Sequence, residues 1–506
     1  MKQFKLTFVL TMLMSMVGLQ AFAYWEYTYT KVDGLYYWLD DDNNQAWVLD
    51  NPSGEYMGDI IIPSSFTYNS INYSVVGIEE GAFLYCSGLT SVTIPNSVTS
   101  IGLFSFFGCS GLKSVTLNSN AIVSGNYIPF DDEINMNLIF GNQVWEYIIG
   151  KDVESIGENA FSGCTSVKRV VLNSNAVVSK PYNALNNMKS IFGDQVEVYV
   201  IGDDVTSIGD SIFYGCSNFW NVDIPKSVSS IGSGAFSCCS TLKYVSMPNV
   251  TSIGTGAFSG CPILDDPGYP NATSIGSRAF QNCSRLWHVT IPNSVTSIGE
   301  YAFSGCSGIT RLSVNSENTV YDSRENCSAI IETASNTLVF GCQTTVIPSS
   351  VTSIGKGAFY CCSGLTSITI PNSVTSIDYA AFWGCSGLTS ITIGDSVTSI
   401  SDLAFGNCST LTSVTVLNPT PVAINYNVFS NRKKATLYVP IGSKEAYLGA
   451  EYWKEFKKIK EKDFTGIDQI MIDGQNNAKI FTLDGKRINK PRKGINIIGG
   501  KKVLVK

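Results

Sequence analysis

Apolar residues return along this chain with a period of 22 or 23 over most of its length. Residues 227–247 show one period: SVSSIGSGAFSCCSTLKYVSM. The shared frame is V-x-S-I-G-x-x-A-F-x-x-C-x-x-L-x-x-V-x-I-P. Eleven cysteines mark its register: Cys86, Cys109, Cys164, Cys216, Cys239, Cys261, Cys283, Cys306, Cys362, Cys385 and Cys408. Three residues before each stands a Phe, and eight before each an Ile. Representative triplets are Ile101, Phe106 and Cys109; Ile298, Phe303 and Cys306; Ile377, Phe382 and Cys385. After the cysteine, apolar residues fall at offsets three, six and eight, as in Leu89, Val92, Ile94 and Leu388, Ile391, Ile393. The last two form a period-2 pair, which predicts a short strand with one buried face. The S-I-G-x-x-A-F-x-x-C stretch returns the chain over the other side, with Gly and Ala where backbones pack closely. Such a period predicts a solenoid with a parallel sheet along one side, in which each coil is stable only when covered by its neighbours.

Three cysteine spacings are longer: 55 from Cys109 to Cys164, 52 from Cys164 to Cys216, and 56 from Cys306 to Cys362. Each is near twice the unit and reads as two coils, the second without the A-F-x-x-C signature, for roughly 14 coils in all. The first two open alike, on Asn118-Ser119-Asn120-Ala121 and Asn173-Ser174-Asn175-Ala176.

The flanks read differently. Residues 1–23 have Lys2 and Lys5, an apolar run from Leu6 to Leu19, and Ala21-Phe22-Ala23. That is the pattern of a cleaved secretory leader, too short to span a bilayer comfortably. No later segment reads as transmembrane. Residues 24–75 are rich in Tyr and Trp, alternate like strands, and place a hairpin turn at Lys31-Val32-Asp33-Gly34. They predict a strand-rich N-terminal cap, which a solenoid needs over its first open edge. Repeats occupy 76–417. Residues 418–463 close the body with a strand at Leu437-Tyr438-Val439-Pro440 and a helix over 444–459, capped by Ser443, with Tyr447, Leu448, Trp453 and Phe456 inward. Residues 464–506 form a tail of strands broken at Asp484-Gly485, Lys490-Pro491 and Gly499-Gly500.

Charge narrows the partners. The net charge of −7 divides into 14 Lys/Arg against 33 Asp/Glu over 24–430 and 18 against 8 over 431–506. An acidic repeat body excludes nucleic acid, which needs a basic track. Fifteen cysteines, an odd count, read better as a buried column of small hydrophobes than as a disulfide framework. Cys238 and Cys361 are extra members of vicinal pairs, and Cys327 with Cys342 is the one bridge to entertain. The single histidine, His288, has no motif beside it that would make a nucleophile–base site. No catalytic set, metal set or cofactor motif stands out from the frame. Asp40-Asp41-Asp42-Asn43-Asn44 lacks the alternating spacing of a calcium loop and suits a hairpin tip.

The frame V-T-S-I-G-x-x-A-F-x-x-C-S-x-L-T-S-V-T-I-P resembles the BspA-like leucine-rich repeat family over about 76–417. Ile60-Ile61-Ile62-Pro63 is similar to the family's leader strand, and residues 435–447 to its A-T-L-Y-V-P-x-G-S-K-E-A-Y closing element. The resemblance implies a curved leucine-rich repeat solenoid, of the α/β repeat class but mostly strand and loop. It also implies cell-surface (outer-membrane) or secreted placement, adhesion to host or bacterial proteins, and no catalytic residues. The tail, ending Lys501-Lys502-Val503-Leu504-Val505-Lys506, is similar to type IX secretion sorting signals; a small structural domain is the other reading.

Outward positions on the sheet follow each cysteine by five and seven, with offset four at the bend. In outer coils they are small: Thr90, Ser91, Thr93, and Thr389, Ser390, Thr392. Middle coils carry Lys168, Arg169, Trp220, Lys243, Tyr244, Trp287, His288 and Arg311 instead. Trp, Tyr and Arg are the residue types that dominate binding energy, whereas Ser and Thr contribute little. These eight form a candidate binding patch, with drift of the repeat as the alternative. The functional expectation is a monomeric, non-enzymatic exported binding protein, adhesin-like. A glycan-binding accessory protein and a surface spacer are the competing classes.

Overall fold

The computed structural model describes residues 29–124 and 135–464, together with the backbone of tail strands between Ile467 and Val505. The leader over 1–23 lies outside the described residues. The chain divides into two compact units: residues 1–177 with 191–195, and residues 178–190 with 196–506.

The first unit opens on antiparallel strands Thr30–Val32, Leu35–Asp40 and Gln45–Val48. The first turn is the expected one, with Asp33 and Gly34 both at positive φ (49° and 91°), as a two-residue hairpin requires. The tip at Asp41–Asn44 is exposed, and the Asp40 carboxylate accepts from the Asn43 backbone N–H and side-chain amide. Gln45–Val48 then pairs in parallel with Ile71–Ile78, and the latter with Ser100–Ile101, which brings Ile78 and Ile101 into register. On the sheet side Gly58–Ile61, Leu89–Ile94, Ser114–Leu117, Glu146–Ile149 and Arg169–Leu172 run parallel. The N-S-N-A strings are helix starts. Ser119 and Ser174 accept from the N–H groups of Ile122 and Val177, capping short helices at Asn120–Val123 and Asn175–Ser179. Helices replace the A-F turn in these coils.

The second unit shows the frame at its most regular. Ser207–Ile208, Ser230–Ile231, Ser252–Ile253, Ser274–Ile275 and Ser297–Ile298 form a narrow parallel ladder with the isoleucines in register. Phe213, Phe236, Phe258, Phe280 and Phe303 stack with ring centroids 5.1–5.5 Å apart and planes within 13°. A second stack runs through Phe359, Phe382, Phe405 and Phe429. The turns bearing these rings are laced coil to coil: Phe236 N–H donates to Ala257 O and Phe258 N–H to Ala279 O. Cysteine completes the column. Cys239, Cys261, Cys283 and Cys306 donate Sγ–H to the carbonyls of Phe213, Phe236, Phe258 and Phe280 of the preceding coil at 3.0–3.2 Å. A thiol at this position fills a methyl-sized hole and satisfies a carbonyl, which alanine cannot do.

Four expectations are corrected. All fifteen cysteines are free thiols, and Cys327 and Cys342, both buried, donate to Ala329 O and Ser328 O instead of bridging. The 56-residue spacing is not two ordinary coils. Tyr321–Asp322, Ala329–Glu332 and Thr337–Gly341 pair antiparallel, and the last strand then pairs in parallel with Ser353–Ile354, Leu338 opposite Ile354. Leu338 thus takes the Ile column, but Cys342 follows it by four residues rather than eight. Phe340 meets Phe303 edge-on (86°), so the ring stack is interrupted there, and Ile298, on the open side of the break, is only half-buried. The helix over 444–459 stops at Gly449, because Ala450 turns to extended backbone (φ −83°, ψ 136°). A single 3₁₀ turn at Trp453–Glu455 follows, then strand Lys458–Lys462, parallel to Thr436–Pro440. Tyr447, Trp453 and Phe456 are buried as expected, whereas Leu448 is exposed. In the tail, Ile480–Thr482 pairs with Arg487–Ile488, and Gly494–Ile498 with Lys501–Val505, all antiparallel.

Candidate binding site

The outward positions sit where two constraints meet. The apolar residues at offsets three, six and eight are pinned inward, so offsets four and five must face out at the bend into the strand. In the second unit the bend residues are stacked by backbone hydrogen bonds. Lys243 and Tyr244 N–H both donate to Trp220 O (2.9 and 3.3 Å), Asp265 N–H to Lys243 O (2.9 Å), and Thr310 N–H to Trp287 O (2.9 Å). Tyr244 is opposite Asn221, and Arg311 is opposite His288. The large rings stay in water: Trp220 is 50% exposed, Tyr244 44% and Trp287 53%. Lys243 lies over the Tyr244 ring at 4.5 Å, and the Trp287 and His288 rings are 4.0 Å apart. Arg311 is exposed.

Between the Tyr244 and His288 strands the sheet is breached. The intervening coil reads Asp265-Asp266-Pro267-Gly268-Tyr269-Pro270 and forms no strand there; beyond the Asp265 N–H bond to Lys243 O it meets the sheet by an isolated bridge from Gly268 to Ser246. Proline lacks the N–H that a central strand needs, so two prolines in six residues prevent the strand from forming. A cleft of about 330 Å³ opens in its place, lined among others by Tyr269, Leu286 and Val289 with His288 at its wall. Asp265 lies 3.6 Å from Arg285, and Asp266 lies 3.5 Å from His288 Nε2. The sequence reading missed these two aspartates and the cleft, although the prolines at 267 and 270 signal the lost strand.

Six of the eight expected patch residues belong to this unit: Trp220, Lys243, Tyr244, Trp287, His288 and Arg311. Lys168 and Arg169 belong to the first unit, where Lys168 is exposed and Arg169 is ion-paired with Glu146 on the neighbouring strand. The site can hold a partner by aromatic contact and mixed charge. The thiol of this coil, Cys283, is turned into the core, where it donates to Phe258 O. Among the described residues no group of His, Cys, Asp or Glu could hold a metal ion, and no helix is long and apolar enough to cross a membrane.

A family model, the BspA type leucine rich repeat region, matches residues 63–144, 132–265, 269–337 and 338–460. Among solved structures, a leucine-rich cell surface protein from Faecalibacterium prausnitzii is 21% identical, with 86% of this chain and 95% of that one covered and a TM-score of 0.35. A leucine-rich repeat protein from Eubacterium ventriosum is 21% identical (58% and 92% covered, TM-score 0.41). One from Bacteroides ovatus is 20% identical (86% and 100% covered, TM-score 0.34). No curated protein matches the chain.

Proposed function

The chain belongs to the BspA-type leucine-rich repeat family, and on that premise we propose that it is a non-enzymatic, exported binding protein that adheres to a protein partner through the sheet face of its second unit. The observation that carries this reading is the exposure of Trp220, Tyr244 and Trp287 at positions that outer coils fill with Ser and Thr. Large amphipathic rings of this kind are the commonest anchors of interfaces. The breach at 265–270 adds a recess beside Trp287 into which a partner's side chain can seat.

Placement at the cell surface or in the medium rests on the leader over 1–23 and on the family, whose members are surface proteins. The tail over 464–506 is read as the sorting element; deleting it removes the protein from surface fractions, and undiminished surface display would refute that role. For the sheet face, binding of the full chain to a panel of extracellular-matrix proteins and to whole cells is compared with that of a Trp220→Ala/Trp287→Ala variant. Loss of at least tenfold in affinity is expected, the size typical of hot-spot truncation. Unchanged binding would overturn the assignment, and binding to no protein would favour a spacer.

A further inference from the structure

The irregular coil at 321–342 reshapes the turn side of the second unit as well as its core. Because Cys342 follows Leu338 by only four positions, this level carries no A-F turn. The turns of the flanking coils therefore meet across it. Gly305 N–H donates to Tyr360 O at 3.3 Å, and the Tyr301 and Tyr360 rings pack edge to face, 5.0 Å apart at 75°. Tyr360 in turn stacks on Trp383 at 4.7 Å and 16°. In the regular coils at Cys239 and Cys261 these turn offsets are small: Gly234 and Gly256 stand where Tyr301 does, Ser237 and Ser259 where Tyr360 and Trp383 do, and Tyr214 is the one other aromatic of the unit at these offsets. The aromatics are concentrated at the break.

Together they wall a cleft of about 310 Å³ lined by Arg278, Gln281, Tyr301, Tyr360, Tyr379 and Trp383. Two features of its chemistry are unspent. The Arg278 guanidinium lies 5.6 Å over the Tyr301 ring and has no carboxylate partner among the described residues, whereas nearby Lys356 is held by Glu300 at 2.8 Å. The phenolic hydroxyls of Tyr301, Tyr360 and Tyr379 and the Trp383 indole N–H likewise have no intramolecular partner among the described residues. Ring faces, a ring of hydroxyl and amide groups, and one unpaired cation converge on a small volume.

We propose that this cleft is a second binding site, separate from the sheet face, and that it takes a hexuronate-bearing sugar. A pyranose offers C–H faces to the rings and hydroxyls to the phenols and the Gln281 amide, and a hexuronate adds a carboxylate for the bidentate fork of Arg278. A folded protein needs about 800 Å² of its own surface for a stable contact, far more than this recess presents. A bare phosphate would use Arg278 and leave four rings idle.

The test is calorimetric titration of the full chain with the aldobiouronate GlcA-β-1,4-Glc and, in parallel, with its neutral counterpart cellobiose. The acidic disaccharide is expected to bind about tenfold more tightly, as one charge-assisted hydrogen-bonded contact provides. Arg278→Gln erases that preference and leaves the weaker neutral binding. Trp383→Ala and Tyr379→Ala each weaken both sugars about tenfold, while Trp287→Ala on the sheet face changes neither. Tyr379 is an exposed ring, so its removal decides the matter if Trp383→Ala lowers the melting temperature. The proposal is overturned if neither sugar binds at millimolar concentration, if the two bind equally, or if Arg278→Gln and Tyr379→Ala bind like the parent. None of these results bears on the matrix-protein assay, so the two sites stand or fall separately.

Discussion

At the scale of the residue, the cysteine–phenylalanine pair explains why the frame is so strict. In the regular coils the Phe carbonyl takes the N–H of the cysteine three residues on and the thiol of the next coil's cysteine; Phe236 O accepts from Cys239 N–H and from Cys261 Sγ. Burial pushes the Cys109 and Cys261 thiols up to about 12, in each case chiefly by desolvation. Below about pH 8.5 both folded and unfolded chains keep these protons and stability is unaffected. Above it these two thiols ionise in the unfolded chain and not in the folded one, so unfolding is favoured progressively from pH 8.5 to 12. Urea titrations under reducing conditions at pH 8 and pH 10.5 are expected to show the fall, and replacing Cys109 and Cys261 by Ala to shrink it. The rings have a larger effect. Phe258→Ala, in mid-stack, is expected to cost about 3–5 kcal/mol, whereas Trp220→Ala on the surface stays within about 0.5 kcal/mol. Both sets were legible in the sequence, because a buried column repeats and an outward position does not. Asp265 and Asp266 were not, since nothing in two neighbouring acids shows that the strand beyond them is missing.

At the scale of the element, the coil is held by close approach as much as by apolar burial. A Cβ on Gly254 would lie 2.6 Å from the Gly232 carbonyl carbon, and one on Gly276 2.5 Å from that of Gly254. Gly254→Ala is therefore expected to destabilise by about 1–3 kcal/mol through backbone displacement, read from the shift of the denaturation midpoint. The threonine of V-T-S-I adds a lateral ladder of its own, Thr273 Oγ1 donating to Thr251 O and Thr251 Oγ1 to Ser229 O. The elements that departed from expectation did so for local reasons. The segment 444–459 carries apolar residues at near-helical spacing, but an extended Ala450 ends the helix and the Lys-Ile-Lys-Glu-Lys beyond the 3₁₀ turn becomes a rung of the sheet. Length alone made the 56-residue interval look like two coils. Its antiparallel strands are specified by short turns such as Ala334-Ser335-Asn336, which a 23-residue template does not include.

At the scale of the molecule, the end of the sheet ladder is defended. Lys458–Lys462 lies at the end of its sheet with Lys458, Lys460, Glu461 and Lys462 exposed, a charged edge of the kind that prevents pairing with another chain. Replacing Lys458 and Lys460 by Val is expected to produce concentration-dependent association, visible by light scattering, while the parent stays at its original size. The regular coils supply a scaffold, and the two breaches, at 265–270 and at 321–342, supply the recesses. The thiol column has a further consequence. With one shielded sulfur at a known height in nearly every coil, the chain carries its own ruler of local unfolding. A brief pulse of alkylating reagent in mild denaturant, read peptide by peptide, would date the opening of each rung. Terminal rungs are expected to be labelled before Cys261, and the rungs beside the interrupted ring stack, Cys306 and Cys362, before their regular neighbours.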